Sequence, residues 1–139
     1  MNRILIDTMW LEAIFTREEP PYTTFADALD EGKIVGISSV VSILELIKHL
    51  GKKDEERMRT TIQKLKSSEI IFVNVTQNIA ERAGELHWKY EVPTADSLIA
   101  ATGMVENTGH VLTGDQRHFG PIKNLIKIID LKQALKLAR

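Results

Sequence analysis

Short β-branched apolar runs alternate along the chain with longer segments of helical periodicity, and no other sequence feature restricts the possible folds so strongly. Arg3–Asp7, Lys33–Ile37, Ile70–Val75, His110–Thr113 and Ile126–Ile129 read as strands, each bounded by polar or glycine-containing turns. Between them, helices are predicted over Met9–Phe15, Tyr22–Asp30, from a Ser38 or Ser39 cap to Gly51, over Asp54–Lys66, from a Thr76 cap to about Tyr90, and over Ser97–Val105. A last basic helix follows an Asp130 cap, and the Pro20-Pro21 pair separates the first two helices. Strands that alternate with helices require crossover connections, which predicts a mainly parallel sheet in a layered α/β domain. Such sheets bind ligands beyond the carboxyl ends of their strands, where Asp7 and Asp115 both fall.

At 139 residues, with 43% hydrophobic and 27% charged side chains, residues 1–139 are expected to form a single domain. The absence of cysteine excludes disulfide frameworks, thiolate zinc sites and thiol nucleophiles, and fits a reducing compartment, with the cytoplasm as the default. Nothing reads as a membrane span, and the N-terminus runs directly into a strand instead of a signal peptide. A net charge of −1 gives no bulk attraction for nucleic acid, but the charge is unevenly spread. Residues 1–31 hold seven acids against two bases, whereas Lys52–Lys66 holds six bases against three acids and Lys123–Arg139 five against one. Solvated helix faces are the ordinary explanation of such blocks.

Four acids stand out. Asp7 sits between a strand and a helix, where an N-cap and a ligand are equally good readings. Glu45 shares a polar stripe with Ser38, Ser42 and His49; a solvated face explains it, and pairing with His49 one turn on is available. Asp96 opens a helix whose following turns look buried, so its charge needs a cation or a set of backbone donors. Asp115 lies in a glycine turn that explains it without any function. All four nevertheless fall at the same rim of the sheet. Like charges gather there only if some are protonated or a divalent cation neutralises them. Oxygen-only ligands favour Mg²⁺ or Mn²⁺, whose natural substrate is a phosphate ester. The histidines show no metal-binding spacing, and there is no Walker loop, dinucleotide loop or nucleophile elbow.

Taken in order, Ile4-Leu5-Ile6-Asp7-Thr8, Ser42-Ile43-Leu44-Glu45-Leu46, Asp96-Ser97-Leu98-Ile99-Ala100-Ala101 and Leu112-Thr113-Gly114-Asp115-Gln116-Arg117-His118-Phe119 resemble the PIN-domain family, most closely its VapC-type ribonuclease toxins. The resemblance spans essentially the whole chain. It implies a three-layer α/β/α sandwich and an endoribonuclease dependent on Mg²⁺ or Mn²⁺. By position, Asp7 and Asp96 are the implied principal metal ligands, Glu45 and Asp115 complete the acidic cluster, and Thr113 supports it. The chain departs from many relatives at Met9, where a small polar residue is common, and at Asp115, where Asn is common.

The implied chemistry is metal-assisted hydrolysis of an RNA phosphodiester, with Glu45 or Asp115 orienting or deprotonating the attacking water. Arg57, Arg59 and Arg117 are candidates for attracting the RNA backbone. The resemblance further implies a homodimer and a small antitoxin partner, for which Trp10, Phe15, Phe25 and Trp88 offer apolar surface. A PIN-like module that binds RNA or protein without cutting, and a housekeeping RNA-processing nuclease, are the alternatives. A receiver domain lacks its neighbouring acids here, and Met9 breaks the Asp-x-Asp of haloacid-dehalogenase-type phosphatases.

Overall fold

A computed structural model describes residues 2–138. In chain order the elements are β1 (Asn2–Ile6), α1 (Thr8–Thr16), α2 (Tyr22–Asp30), β2 (Ile34–Ser39), α3 (Val40–Gly51), α4 (Glu55–Lys66) and β3 (Ile71–Val73). They continue with α5 (Gln77–Tyr90), α6 (Thr94–Val105), β4 (His110–Leu112), α7 (Gln116–Phe119), a 3₁₀ turn at Gly120–Ile122, β5 (Lys127–Ile129) and α8 (Leu131–Leu137). The strands form one sheet in the order β3-β2-β1-β4-β5, and every pairing is parallel.

This strand order explains the layers. The chain first builds outward from β1 through β2 to β3, then crosses back to place β4 on the other side of β1. Right-handed crossovers that run in opposite directions along a sheet lie on opposite faces of it. Accordingly Ile4 and Ile6 of β1 pack with Leu11, Phe25, Leu29, Leu46 and Leu65 from α1–α4 on one face. Leu5 points the other way, toward Ile79, Ala83 and Leu86 of α5 and Ile99 and Ala100 of α6. Over Ile4–Ile6 both faces of β1 are thus fully buried, and each such aliphatic side chain contributes roughly 1.5–3 kcal/mol. The expected three-layer α/β/α fold with a parallel central sheet is the one observed.

Small residues let α6 lie close to the sheet. A Cβ on Gly103 would stand 2.7 Å from Leu5 Cδ2 and 2.9 Å from Thr108 Oγ1, a separation that only a missing side chain permits. The predicted burial of this helix on most sides is borne out, since Ser97 and Ile99–Gly103 are all buried.

Several expected boundaries move. Strand β3 is three residues long, not six, and α6 begins at Thr94, not Ser97, which puts Asp96 inside its first turn. Of the two candidate caps for α3, Ser39 accepts the Val41 N–H at 3.1 Å, while Ser38 donates to the Ile6 carbonyl at 2.9 Å and ties β2 to β1. The apolar stripe of α3 is only half buried: Leu46 and Leu50 enter the core, whereas Leu44 and Ile47 remain exposed. Helix α7 was not expected, because four residues are too few to show a periodicity.

Candidate active site

The direction of chain travel reverses between β1 and β4, leaving a crevice beyond their carboxyl ends. The Asp7 N–H donates to the Leu112 carbonyl at 3.1 Å and closes the floor of that crevice. All four acids selected from the sequence line one cavity of about 670 Å³, together with Thr8 and His118.

Asp7 is the deepest of them. Its Oδ1 accepts the Thr8 N–H at 2.8 Å, and its Oδ2 accepts the Thr113 hydroxyl at 2.7 Å, so cap and cluster member are combined in one residue. Burial pushes its carboxyl above the ordinary range; the bonds from Thr113 and Thr8 oppose this, and the charges of Glu45 and Asp115 add to it.

Glu45 reaches the cavity from the second turn of α3. The Thr8 hydroxyl donates to its Oε1 at 2.7 Å and lies 2.9 Å from Ser42 Oγ, so the single Thr8 proton serves the carboxylate and the Ser42 proton serves the second contact. Position 9, where a small polar residue is common in relatives, is Met and is exposed at the cavity wall; the hydroxyl that reaches Glu45 comes from Thr8, one residue earlier. Glu45 does not pair with His49. One helical turn further along both helices, His49 Nε2 lies 3.6 Å from Glu12 Oε2 and 3.2 Å from Lys53 Nζ.

The opposite wall is built by α6 and α7. His118 Nδ1 is 2.8 Å from Asp96 Oδ2 and 2.7 Å from Asp115 Oδ2, joining the two carboxylates. Asp115 caps α7 by accepting the His118 N–H at 3.0 Å, while its own N–H donates to Thr113 Oγ1 at 3.0 Å. The Asp96 carboxyl is pushed up to about 6, mainly by burial and then by the charge of Asp7; His118 pulls it back, and Asp115 and Glu45 add to the rise. Thr8 and His118 are participants that sequence reasoning left out, as is Lys48 in the cavity lining. The signals of the first two were a hydroxyl directly after Asp7 and a histidine one turn after Asp115.

Two carboxylates made harder to ionise by burial and by neighbouring acids are what a site for a cation looks like before the cation is counted. The donor set, carboxylate oxygens with one imidazole, fits a divalent metal ion, and ligand atoms of Asp96, Asp115 and His118 lie within 4.8 Å of one another. The arginines chosen from the sequence lie elsewhere. Arg57 lines a separate depression beside Asp54 and Lys64, Arg59 pairs with Glu55 at 3.2 Å, and Arg117 is exposed on α7. Among the described residues, Lys48 is the Lys or Arg side chain that lines the acidic cavity.

A family model described as the PIN domain matches residues 4–123. The chain belongs to the PIN domain family. No curated protein matches this PIN domain significantly in sequence. Among solved structures it is similar to VapBC2 from Rickettsia felis bound to a DNA fragment from its promoter, with 19% identity, a TM-score of 0.76, and coverage of 92% of this chain and 98% of that one. DNA-bound VapBC from Salmonella typhimurium gives 20% identity and a TM-score of 0.72 over 94% and 99% of the two chains. A toxin–antitoxin complex from Klebsiella pneumoniae gives 22% and 0.66 over 92% and 97%. The expected resemblance to VapC-type PIN domains is borne out as a likeness of fold.

Proposed function

We propose that this PIN domain is a metal-dependent endoribonuclease of the VapC type, acting as the toxin of a toxin–antitoxin pair. PIN domains are generally nucleases, which supports this reading. The observation that carries the reading is the convergence of Asp7, Glu45, Asp96 and Asp115, from four separated segments, on a single cavity at the switch point of a parallel sheet.

Asp7 and Asp96 would hold a Mg²⁺ or Mn²⁺ ion, with Glu45 and Asp115 completing its surroundings. When bound, such an ion would supply acidification of a water and neutralisation of phosphate charge. Thr113 and Thr8 fix the orientation of Asp7, and Thr8 also fixes Glu45. Of the two candidates for the base, Glu45 is favoured. Both oxygens of Asp115 are engaged by His118, whereas Glu45 has one oxygen held by Thr8 and the other left to take a proton from water. The water oxygen bonds to phosphorus, its proton passes to Glu45, the P–O3′ bond breaks, and the leaving oxygen takes up a proton from solvent.

Lys48 stands at the cavity mouth to meet the RNA backbone, and Arg57, Arg59 and Arg117 contribute longer-range attraction. The similar structures named as VapBC and toxin–antitoxin complexes support a small antitoxin as partner, and we extend the same reading to a homodimer. Of the aromatic residues proposed for contact, Phe25 is fully buried in the core, and Trp10 and Phe15 pack against it, leaving Trp88 exposed.

The test is cleavage of a mixed set of single-stranded and structured RNAs with Mg²⁺, Mn²⁺ or EDTA, comparing wild type with Asp7→Asn and Asp96→Asn. Metal-dependent cleavage that disappears in both folded variants supports the nuclease. RNA or protein binding without cleavage under any metal condition replaces it with a non-catalytic binding module.

A further inference from the structure

Among the described residues, His118 is the one whose side-chain nitrogen is set against two of the four acids. Its Nδ1 faces Asp96 Oδ2 and Asp115 Oδ2 at 2.8 and 2.7 Å, although the three residues come from two helices and a turn. The imidazole is held there by its backbone, because the His118 N–H is bonded to the other oxygen of Asp115 at 3.0 Å. Asp115 is itself tied to Thr113, the residue that also fixes Asp7. The ring is half-exposed on one side, so packing does not explain why it is aimed into the acids. Of the ring's two nitrogens, the one set against both carboxylates is therefore the one placed beside any ion held between them.

We propose that His118 is a metal ligand, forming with Asp96 and Asp115 a mixed oxygen–nitrogen site that selects Mn²⁺ over Mg²⁺. The inference rests on the nuclease reading, since it names the metal preference of the same cavity. The chemical reason is that Mg²⁺ prefers oxygen donors and retains much of its water, whereas an imidazole nitrogen adds affinity for first-row transition ions. An all-carboxylate cavity has no such basis for discrimination. On this proposal the ligand set is mixed, where the sequence led to the expectation of oxygen ligands alone.

Two measurements on the purified full chain decide it, using Mn²⁺ alone and Mg²⁺ alone as probes. Titration calorimetry gives the ratio of the two affinities in wild type and in His118→Gln, and pulsed electron paramagnetic resonance of bound Mn²⁺ reports a directly coordinated ¹⁴N. The expected result is ¹⁴N coupling in wild type that is lost in His118→Gln, with the Mn²⁺ preference falling by about 10-fold or more and Mg²⁺ affinity little changed. Bound Mn²⁺ without nitrogen coupling in wild type overturns the proposal even if the variant does not fold. An unchanged affinity ratio in a folded variant does the same. Parallel RNA cleavage assays separate the two readings. Nitrogen-coupled Mn²⁺ without cleavage leaves the ligand assignment standing and removes the nuclease, whereas cleavage without nitrogen coupling removes the ligand assignment alone. Failure of wild type to bind either ion overturns both.

Discussion

The two walls of the acidic cavity are organised by different chemistry. On the α1 and α3 side, Asp7 and Glu45 are positioned by neutral hydroxyls, with Thr113 and Thr8 donating at 2.7 Å each. On the α6 and α7 side, Asp96 and Asp115 share a single imidazole. Hydroxyl bonds fix geometry without removing negative charge, whereas an imidazole both orients carboxylates and can offset their repulsion. The first wall is therefore a rigid scaffold that still calls for a cation. The second already has a ring nitrogen set against both of its carboxylates.

The largest effects should come from the acids that would hold the ion. Asp7→Asn and Asp96→Asn are each expected to reduce RNA hydrolysis by about 10²–10³-fold in a rate assay, the loss typical of a directly acting catalytic group. Comparable activity in either variant would break the division of labour between the walls.

Next come the hydroxyls. Thr8→Val keeps the side-chain shape but frees Glu45, so cleavage should fall about 10–100-fold while stability changes by about 1 kcal/mol, read by steady-state kinetics and denaturant unfolding. A proportionate loss of stability and activity would mean that Thr8 serves the fold and not the site.

The pH response sharpens the contrast further. Asp96 has a carboxyl raised from 3.8 to about 6, so between those values the folded state binds more protons than the unfolded state. The resulting stability is fully present below about 3.8 and is lost as pH rises through about 6. In EDTA, melting scans should show Asp96→Asn more stable than wild type by a few degrees at pH 7.5, with the gap closing toward pH 5. Adding Mn²⁺ at pH 7.5 should raise wild type but not the variant. A gap that stays constant with pH would remove Asp96 as a site of raised proton affinity.

The smallest effect is expected from the distant arginines. Arg57 and Arg59 on α4 lie outside the cavity, and Arg59 is already paired with Glu55. Replacing both with Ala should weaken RNA binding only a few-fold at low salt and less at high salt, in a filter-binding assay. Lys48→Ala should be felt more strongly, because Lys48 lines the cavity itself.

The periodicity of the chain was sufficient to specify the parallel sheet, since β-branched runs such as Ile4-Leu5-Ile6 bury both faces and the intervening helices must cross over. Strand ends were also readable, and with them the position of Asp7 at the rim. The caps at Thr76 and Asp130 were legible because capping depends on residues three apart. The partners of each carboxylate were not legible. Thr8 meets Glu45 across 37 positions and Thr113 meets Asp7 across 106, and no local pattern encodes such a contact. His118 was passed over for the same reason: its spacing from Asp115 is local, but its second carboxylate, Asp96, arrives from the far side of a crossover. Sequence alone determined which residues were charged and at which end of the strands they stood. Only the tertiary structure decided which of those charges met, because that depends on the order of strands in the sheet and on how closely small residues such as Gly103 let α6 approach it.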